Sequence, residues 1–287
     1  MIVIGCLVAA FSVRGLRPLA EEAFPTTYWG SPTGYSVQSI AEGKVLYARH
    51  CALCHGATGR GDGPAGAQLQ RRPADLAADH LYAHADGDLF WWISNGIGDA
   101  MPGFGGAIDE TGRWHLIDFL RANADGIRVR RAPGGLSAVG YPVPNFSAQC
   151  ADGTSISTDE LRDRIVHIVF AGPGLDERLV QFAHADPGTD VTTIVATTGP
   201  IASEQKHFCV ARDTDVVTAF ILFRDAEPTL AEGTEFLVDT EGNVRSVWYP
   251  GIIPDWRQPA VLKNRIDELR RTPVASRSRT AQAHVHH

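Results

Sequence analysis

Cys51, Ala52, Leu53, Cys54 and His55 stand in a row that could do chemistry. Two thiols three positions apart share one turn of a helix and can bond to the two vinyl groups along one porphyrin edge. The histidine that follows them then lies beneath the iron as its proximal ligand. The five residues read as the attachment site of one covalently bound haem c. Two other readings use the same atoms: a thioredoxin-type redox pair with an incidental histidine, and half of a zinc site. Zinc needs two further ligands and the chain has no second C-x-x-C. His80 and His84, four apart, are the pair that a helix could present together.

A haem held by one histidine calls for a second axial ligand. The chain has two methionines, Met1 and Met101. Met101 lies in the glycine-rich stretch from Asn95 to Gly105, where glycines permit a tight backbone path over a flat ring. Pro102 fixes the chain directly after it. A thioether is a soft, neutral donor, and a His/Met pair raises the reduction potential. Met101 is the expected sixth ligand, with His80 or His84 as the alternative.

These ligands need elements to hold them. Ser39 to Tyr47 reads as a helix with Gly43 and Tyr47 on one face, and Asp109 to Leu120 as another with Trp114, Ile117 and Leu120 or Phe119 on an apolar stripe. Together with the motif and Met101, these helices resemble a class I mono-haem cytochrome c over residues 36–126. The resemblance implies an all-α fold whose first and last helices cross closely, as Gly43 would allow. It also implies that Arg71, Arg72 and Pro73 line the proximal side and the propionates, a solvated surface being the alternative for the arginines. Trp91 and Trp92 would pack the haem pocket.

Residues 127–142, rich in Arg, Pro and Gly, read as a linker. Beyond them strand-like and helix-like runs alternate, which argues for an α/β domain. Strands are expected at Ile165 to Ala171 and Val191 to Ala196, and helices at Leu175 to His184, Ile201 to Val210 and Gln258 to Arg271. A hairpin from Phe236 to Trp248 turns at Glu241, Gly242 and Asn243. Val143-Pro-Asn-Phe146 and the hairpin resemble the thioredoxin-like superfamily over residues 143–272. That family places a Cys-x-x-Cys or a peroxidatic cysteine after its first core strand. Here the strand runs into Phe170-Ala-Gly-Pro-Gly174, and Glu232-Gly233-Thr234 stands where the family has its cis-proline. Cys150 and Cys209 remain, as a catalytic pair, a structural bridge or inert buried thiols, the last being the preferred reading.

The expected architecture is therefore two domains, an all-α cytochrome c fold followed by an α/β thioredoxin-like fold. Segment 1–35 precedes them, and a basic, histidine-containing tail follows at 273–287. That arrangement resembles the extracytoplasmic part fused to copper-resistance membrane proteins of the D type, which implies a membrane protein of that type as a partner. The apolar run Ile2 to Val13, followed by Arg14 and Arg17, reads as an export or anchor segment, with a lipidation site at Cys6 as the alternative. No apolar stretch reaches the roughly 18–20 residues of a membrane helix.

Composition agrees with a soluble, globular chain: 287 residues, 44% hydrophobic and 21% charged. A net charge of −7 argues against nucleic acid as partner. The basic residues Lys263, Arg265, Arg270, Arg271, Arg277 and Arg279 read as a solvated helix end. The expected function is one-electron transfer outside the cytoplasm, periplasmic or on the outer face of the membrane, with redox partner proteins. Two alternatives remain: a haem-linked thiol-disulfide or peroxide reductase using Cys150 and Cys209, and a gas sensor in which a small ligand displaces Met101.

Overall fold

A computed structural model describes residues 24–172, 175–184, 188–200, 208–224, 232–251 and 255–274. The apolar run Ile2 to Val13 with Cys6, Arg14 and Arg17, the segment 201–207, and the tail with Arg277, Arg279, His284, His286 and His287 lie outside the described residues.

The first half is helical. α1 (Val37–His50) starts where Ser36 accepts the backbone N–H of Ser39, and it leads through Cys51 into the short α2 (Ala52–His55), which carries Cys54 and His55. α3 (Asp86–Asn95) follows two 3₁₀ turns, then a two-residue hairpin of β1 (Gly96–Ile97) and β2 (Met101–Pro102). α4 (Glu110–Val129) is capped by Asp109, whose carboxylate accepts from the N–H of Gly112. α1 and α4 cross at Gly43, where a Cβ would lie 2.0 Å from the carbonyl oxygen of His115. Tyr47 and Phe119 meet one turn further on, with ring centroids 4.9 Å apart. Around this crossing Leu81, Phe90, Trp114, Leu116 and Ile117 form the first core.

The second half holds an eight-stranded sheet. Its strands are β3 (Tyr141–Pro142), β4 (Ser147–Cys150), β5 (Ser155–Ser157), β6 (Ile165–Phe170), β7 (Val191–Ala196), β8 (Phe208–Ala211), β9 (Glu235–Val238) and β10 (Asn243–Trp248), in the order β3-β10-β9-β6-β7-β8-β4-β5. β6, β7 and β8 run parallel, and every other pairing is antiparallel. α5 (Leu175–His184) connects β6 to β7, α6 (Thr214–Phe220) follows β8, and α7 (Pro259–Arg271) follows the β9–β10 hairpin. A parallel βαβ unit joined on one side by an antiparallel hairpin and closed by a helix is the thioredoxin-like fold. β3, β4, β5 and β8 extend it.

Two expectations are corrected here. Residues 208–210, read as the end of a helix, belong to strand β8, which pairs with both β7 and β4. Cys150 and Cys209, read as inert thiols, are joined in a disulfide. They stand directly opposite each other on β4 and β8, a proximity that sequence separation could not reveal.

The stretch read as a linker begins inside α4 and ends as β3. Between them Gly134 and Ser137 donate to the carbonyls of Val247 and Arg245 on β10. The two halves also share a core. Val37 and Ile40 of α1, and Ala122 and Val129 of α4, are buried in one cluster with Ile168, Phe170, Phe220 and Phe236. Gly126 allows the closest approach: a Cβ there would lie 2.3 Å from the carbonyl oxygen of Leu222.

Candidate haem site

Cys51, at the N-cap of α2, accepts at its carbonyl from the N–H groups of Cys54 and His55, so the three share a single turn. Both thiols are unbridged and half-buried, and the intervening Leu53 is exposed. Burial, with a smaller contribution from Cys54, pushes the Cys51 thiol up to about 12. A thioredoxin-type pair needs a thiolate near neutral pH, so this environment is wrong for that chemistry. Among the described residues no group of three or more His, Cys, Asp or Glu side chains could hold a metal ion, so the zinc reading finds no further ligands there.

His55 is oriented by the chain beyond it. Its Nδ1 lies 3.1 Å from the carbonyl oxygen of Ala74. A carbonyl only accepts, so Nδ1 carries the proton and Nε2 keeps its lone pair. Burial lowers the pKa of His55, the Ala74 bond opposing it, which keeps the ring neutral. A neutral imidazole with Nε2 available, beside two free thiols on one turn, fits haem c.

The carbonyl that meets His55 belongs to Ala74, the residue after Pro73. Arg71 and Arg72 are exposed, and Arg72 donates from Nε to the carbonyl of Gly61 at 3.4 Å. Met101 opens β2 and is half-buried, its register fixed opposite Ile97. Gly96 is required there: its φ is +83°, and a Cβ would fall 2.4 Å from the carbonyl oxygen of Met101. Phe104, three residues on, stands with its ring 6.0 Å from that of His50. Phe104, Cys51 and Trp92 all pack against the first core. His80 and His84 lie on and just after a 3₁₀ turn, and His84 meets Trp92 edge-on at 4.6 Å.

The place of the usual thiol in the thioredoxin-like half, past the end of β6, carries Ala171 and Gly172. There the N–H of Phe170 donates to the carbonyl of Thr234, and the N–H of Gly233 to the carbonyl of Phe170. A group that the sequence reading missed lies beneath. Glu235, 1% exposed, accepts from Arg178 Nε and Nη2 at 2.6 and 2.8 Å and from His167 Nε2 at 2.7 Å. Burial alone would raise the carboxyl; the bonds from His167 and Arg178 outweigh it and hold Glu235 at about 2. Burial lowers His167, so the pair is a neutral imidazole donating to a carboxylate, and Arg178 supplies the counter-charge. A histidine inside the apolar run of β6 was the signal available in the sequence.

Residues 38–120 match the family model described as "Cytochrome C oxidase, cbb3-type, subunit III". Thiosulfate dehydrogenase of Stutzerimonas stutzeri (strain A1501) is 27% identical over 142 residues, 42% of this chain and 45% of that protein. The "Cbb3-type cytochrome c oxidase subunit CcoP" of Azospirillum sp. (strain B510) is 32% identical over 109 residues, 37% of each chain. The chain spans less than half the length of these curated relatives. Among solved structures, a thiol:disulfide interchange protein of Chlorobium tepidum TLS is 18% identical, with a TM-score of 0.36 over 46% of this chain and 98% of that one. Copper-bound yeast Sco1 is 14% identical, with a TM-score of 0.36 over 50% and 99%. For the second half the fold rests on strand order rather than on these scores. The chain carries a cytochrome c domain of the cbb3 subunit III type in its N-terminal part, followed by a thioredoxin-like fold in its C-terminal part.

Proposed function

We propose that this chain is a one-electron carrier working outside the cytoplasm. A single haem c is bound through Cys51 and Cys54, with His55 and Met101 as axial ligands. When bound, the haem supplies a reversible one-electron couple. The observation that carries the reading is the helical turn of α2, with two free thiols and a neutral His55 fixed by the Ala74 carbonyl. Met101 brings a soft thioether on a loop whose path Gly96 and Pro102 constrain. The chain's own residues do the rest: the first core excludes water from one side, and Ala74 sets the tautomer of His55.

The thioredoxin-like half has no thiol at the end of β6, so it does not run its family's dithiol chemistry there. Its role is to dock partners and to hold the haem domain against them. The partners are redox proteins on the same side of the membrane, a copper-resistance D-type membrane protein being the one that the domain order suggests. Attachment to the membrane would come through the segment before Phe24. Among the described residues no helix is long and apolar enough to cross a membrane.

The test is the near-infrared spectrum of the ferric protein, exported in a host that attaches haem c. A sulfur-to-iron charge-transfer band that disappears in Met101→Ala supports the ligand set. Covalently bound haem without that band would overturn Met101 and move the assignment to His80 or His84, separable by single replacements. Absence of covalent haem would overturn the reading altogether.

A further inference from the structure

Residues 24–35 form a strap on the helical half that the haem site does not use. The strap contains no Lys, Arg, Asp or Glu, yet it carries Phe24, Tyr28, Trp29 and Tyr35. Its hold on the domain is polar and specific. At the start of α3, Thr26 Oγ1 donates to the carbonyl of Gly87 and Thr27 Oγ1 to the carboxylate of Asp88, each at 2.5 Å. Thr33 donates to Asp118 of α4. A Cβ on Gly87 would fall 1.6 Å from the Thr26 carbonyl oxygen, so the strap lies directly on the helix. Phe24 stacks on Trp91, with ring centroids 5.8 Å apart.

Between these anchors the N–H of Trp29 donates to the carbonyl of Thr26 at 2.8 Å and closes a turn. Tyr28 is 87% exposed and Trp29 50%, and among the described side chains they are the two aromatic ones that stand exposed. The chain that enters the strap indicates what covers them. The apolar run Ile2 to Val13 ends eleven residues before Phe24, a span of at most about 40 Å of extended chain. A bilayer that holds the run is therefore within reach of Tyr28 and Trp29. Tyr and Trp favour the membrane–water interface, because the ring suits the apolar side and the O–H or N–H the wet side. With no formal charge in the strap, insertion strips no ion of its water.

We propose that Tyr28 and Trp29 insert into the interfacial zone of a phospholipid bilayer and fix the angle at which the haem domain sits on it. The inference rests on membrane attachment through the segment before Phe24. The strap is bonded to α3, and α3 leads into β1 and the Met101 hairpin, so the contact orients that hairpin relative to the membrane plane.

The test uses the haem-loaded full chain, with residues 1–23 verified by intact mass, and phosphatidylcholine vesicles. Co-flotation reads attachment, and hydroxyl-radical oxidation with mass readout reads each side chain. On vesicles, oxidation of Tyr28 and Trp29 is expected to fall at least about fivefold relative to Val180, an exposed residue of α5. Tyr28→Ser/Trp29→Ser should bind vesicles about tenfold more weakly, and the exchange Tyr28→Trp/Trp29→Tyr should restore most of the binding. A chain that floats with vesicles while both rings oxidise as fast as in solution would overturn the proposal and leave the anchor standing. Failure to float would overturn both. Rings already protected without vesicles, by the chain itself or by a second copy, would overturn the proposal, as would a serine variant that binds like the wild type.

Discussion

Replacing Arg178 by methionine tests the buried group at the centre of the thioredoxin-like half. In the folded chain the Glu235 carboxylate accepts three hydrogen bonds, two of them from the Arg178 guanidinium. Methionine fills much of the arginine's volume and removes both charge-assisted bonds, each worth about 1.5–3 kcal/mol net. It leaves a buried carboxylate facing only His167. Breaking one side of a buried ion pair costs about 3–5 kcal/mol, and we expect a loss in that range at pH 7. The pH dependence carries a sign. Glu235 titrates near 2 when folded against 4.5 as its ordinary value, so its contribution is fully present above pH 4.5 and is lost as pH falls towards 2. In Arg178→Met that window flattens, and the gap between variant and wild type narrows as the medium is acidified. Urea unfolding followed by far-UV circular dichroism, repeated from pH 3 to 7, measures both effects. The double variant Arg178→Met/Glu235→Gln has no charge left to strand and should recover most of the loss. A single variant costing under about 1 kcal/mol, or a double variant no better than the single, would refute the reasoning.

Gly43→Ala forces a methyl group to within 2.0 Å of the His115 carbonyl oxygen, so α1 and α4 must separate. We expect a loss of about 1–3 kcal/mol, read by urea unfolding, with Soret and far-UV transitions still coincident because the two halves share a core. Asp118 accepts from Ser39 and Thr33 in the buried face of α4, yet burial outweighs these bonds and raises its carboxyl above 3.8. Between 3.8 and that raised value the folded state binds more protons than the unfolded one, so stability falls as pH rises through the window. Asp118→Asn should remove that fall and melt higher than wild type at pH 7 but not below pH 3.8. A melting profile parallel to wild type and lower throughout would contradict this.

Local patterns announced much of this molecule. The thiols and His55 are contiguous, so one helical turn assembles them without help from the rest of the fold. The β9–β10 hairpin and the helix at Leu175 to His184 likewise follow from neighbours in sequence. What the sequence hid is non-local. Cys150 and Cys209 are 59 residues apart and meet only because β8 falls next to β4. β8 itself is four residues long, too short for alternation to outvote the helical look of its surroundings. Glu235, Arg178 and His167 come from three elements and converge only in the folded sheet. The Arg-Pro-Gly stretch before Pro142 has the composition of a flexible tether, and the carbonyls of β10 that hold it lie some hundred residues downstream.

The burial of Val37, Ile40, Ala122 and Val129 beneath the sheet has a kinetic consequence. A small cytochrome on a loose tether can present its exposed ring edge to a partner from many directions. Here one flank of the haem domain is occluded by its own chain, and the orientation of α2 is set relative to the sheet. If redox proteins dock on the thioredoxin-like half as proposed, they meet the haem at a predetermined angle and spacing, without a diffusive search by the tethered domain. Under the proposed role, the same occlusion would reject collisions from that side, and selectivity among electron donors would arise from which approaches are geometrically open rather than from tighter binding to the right one.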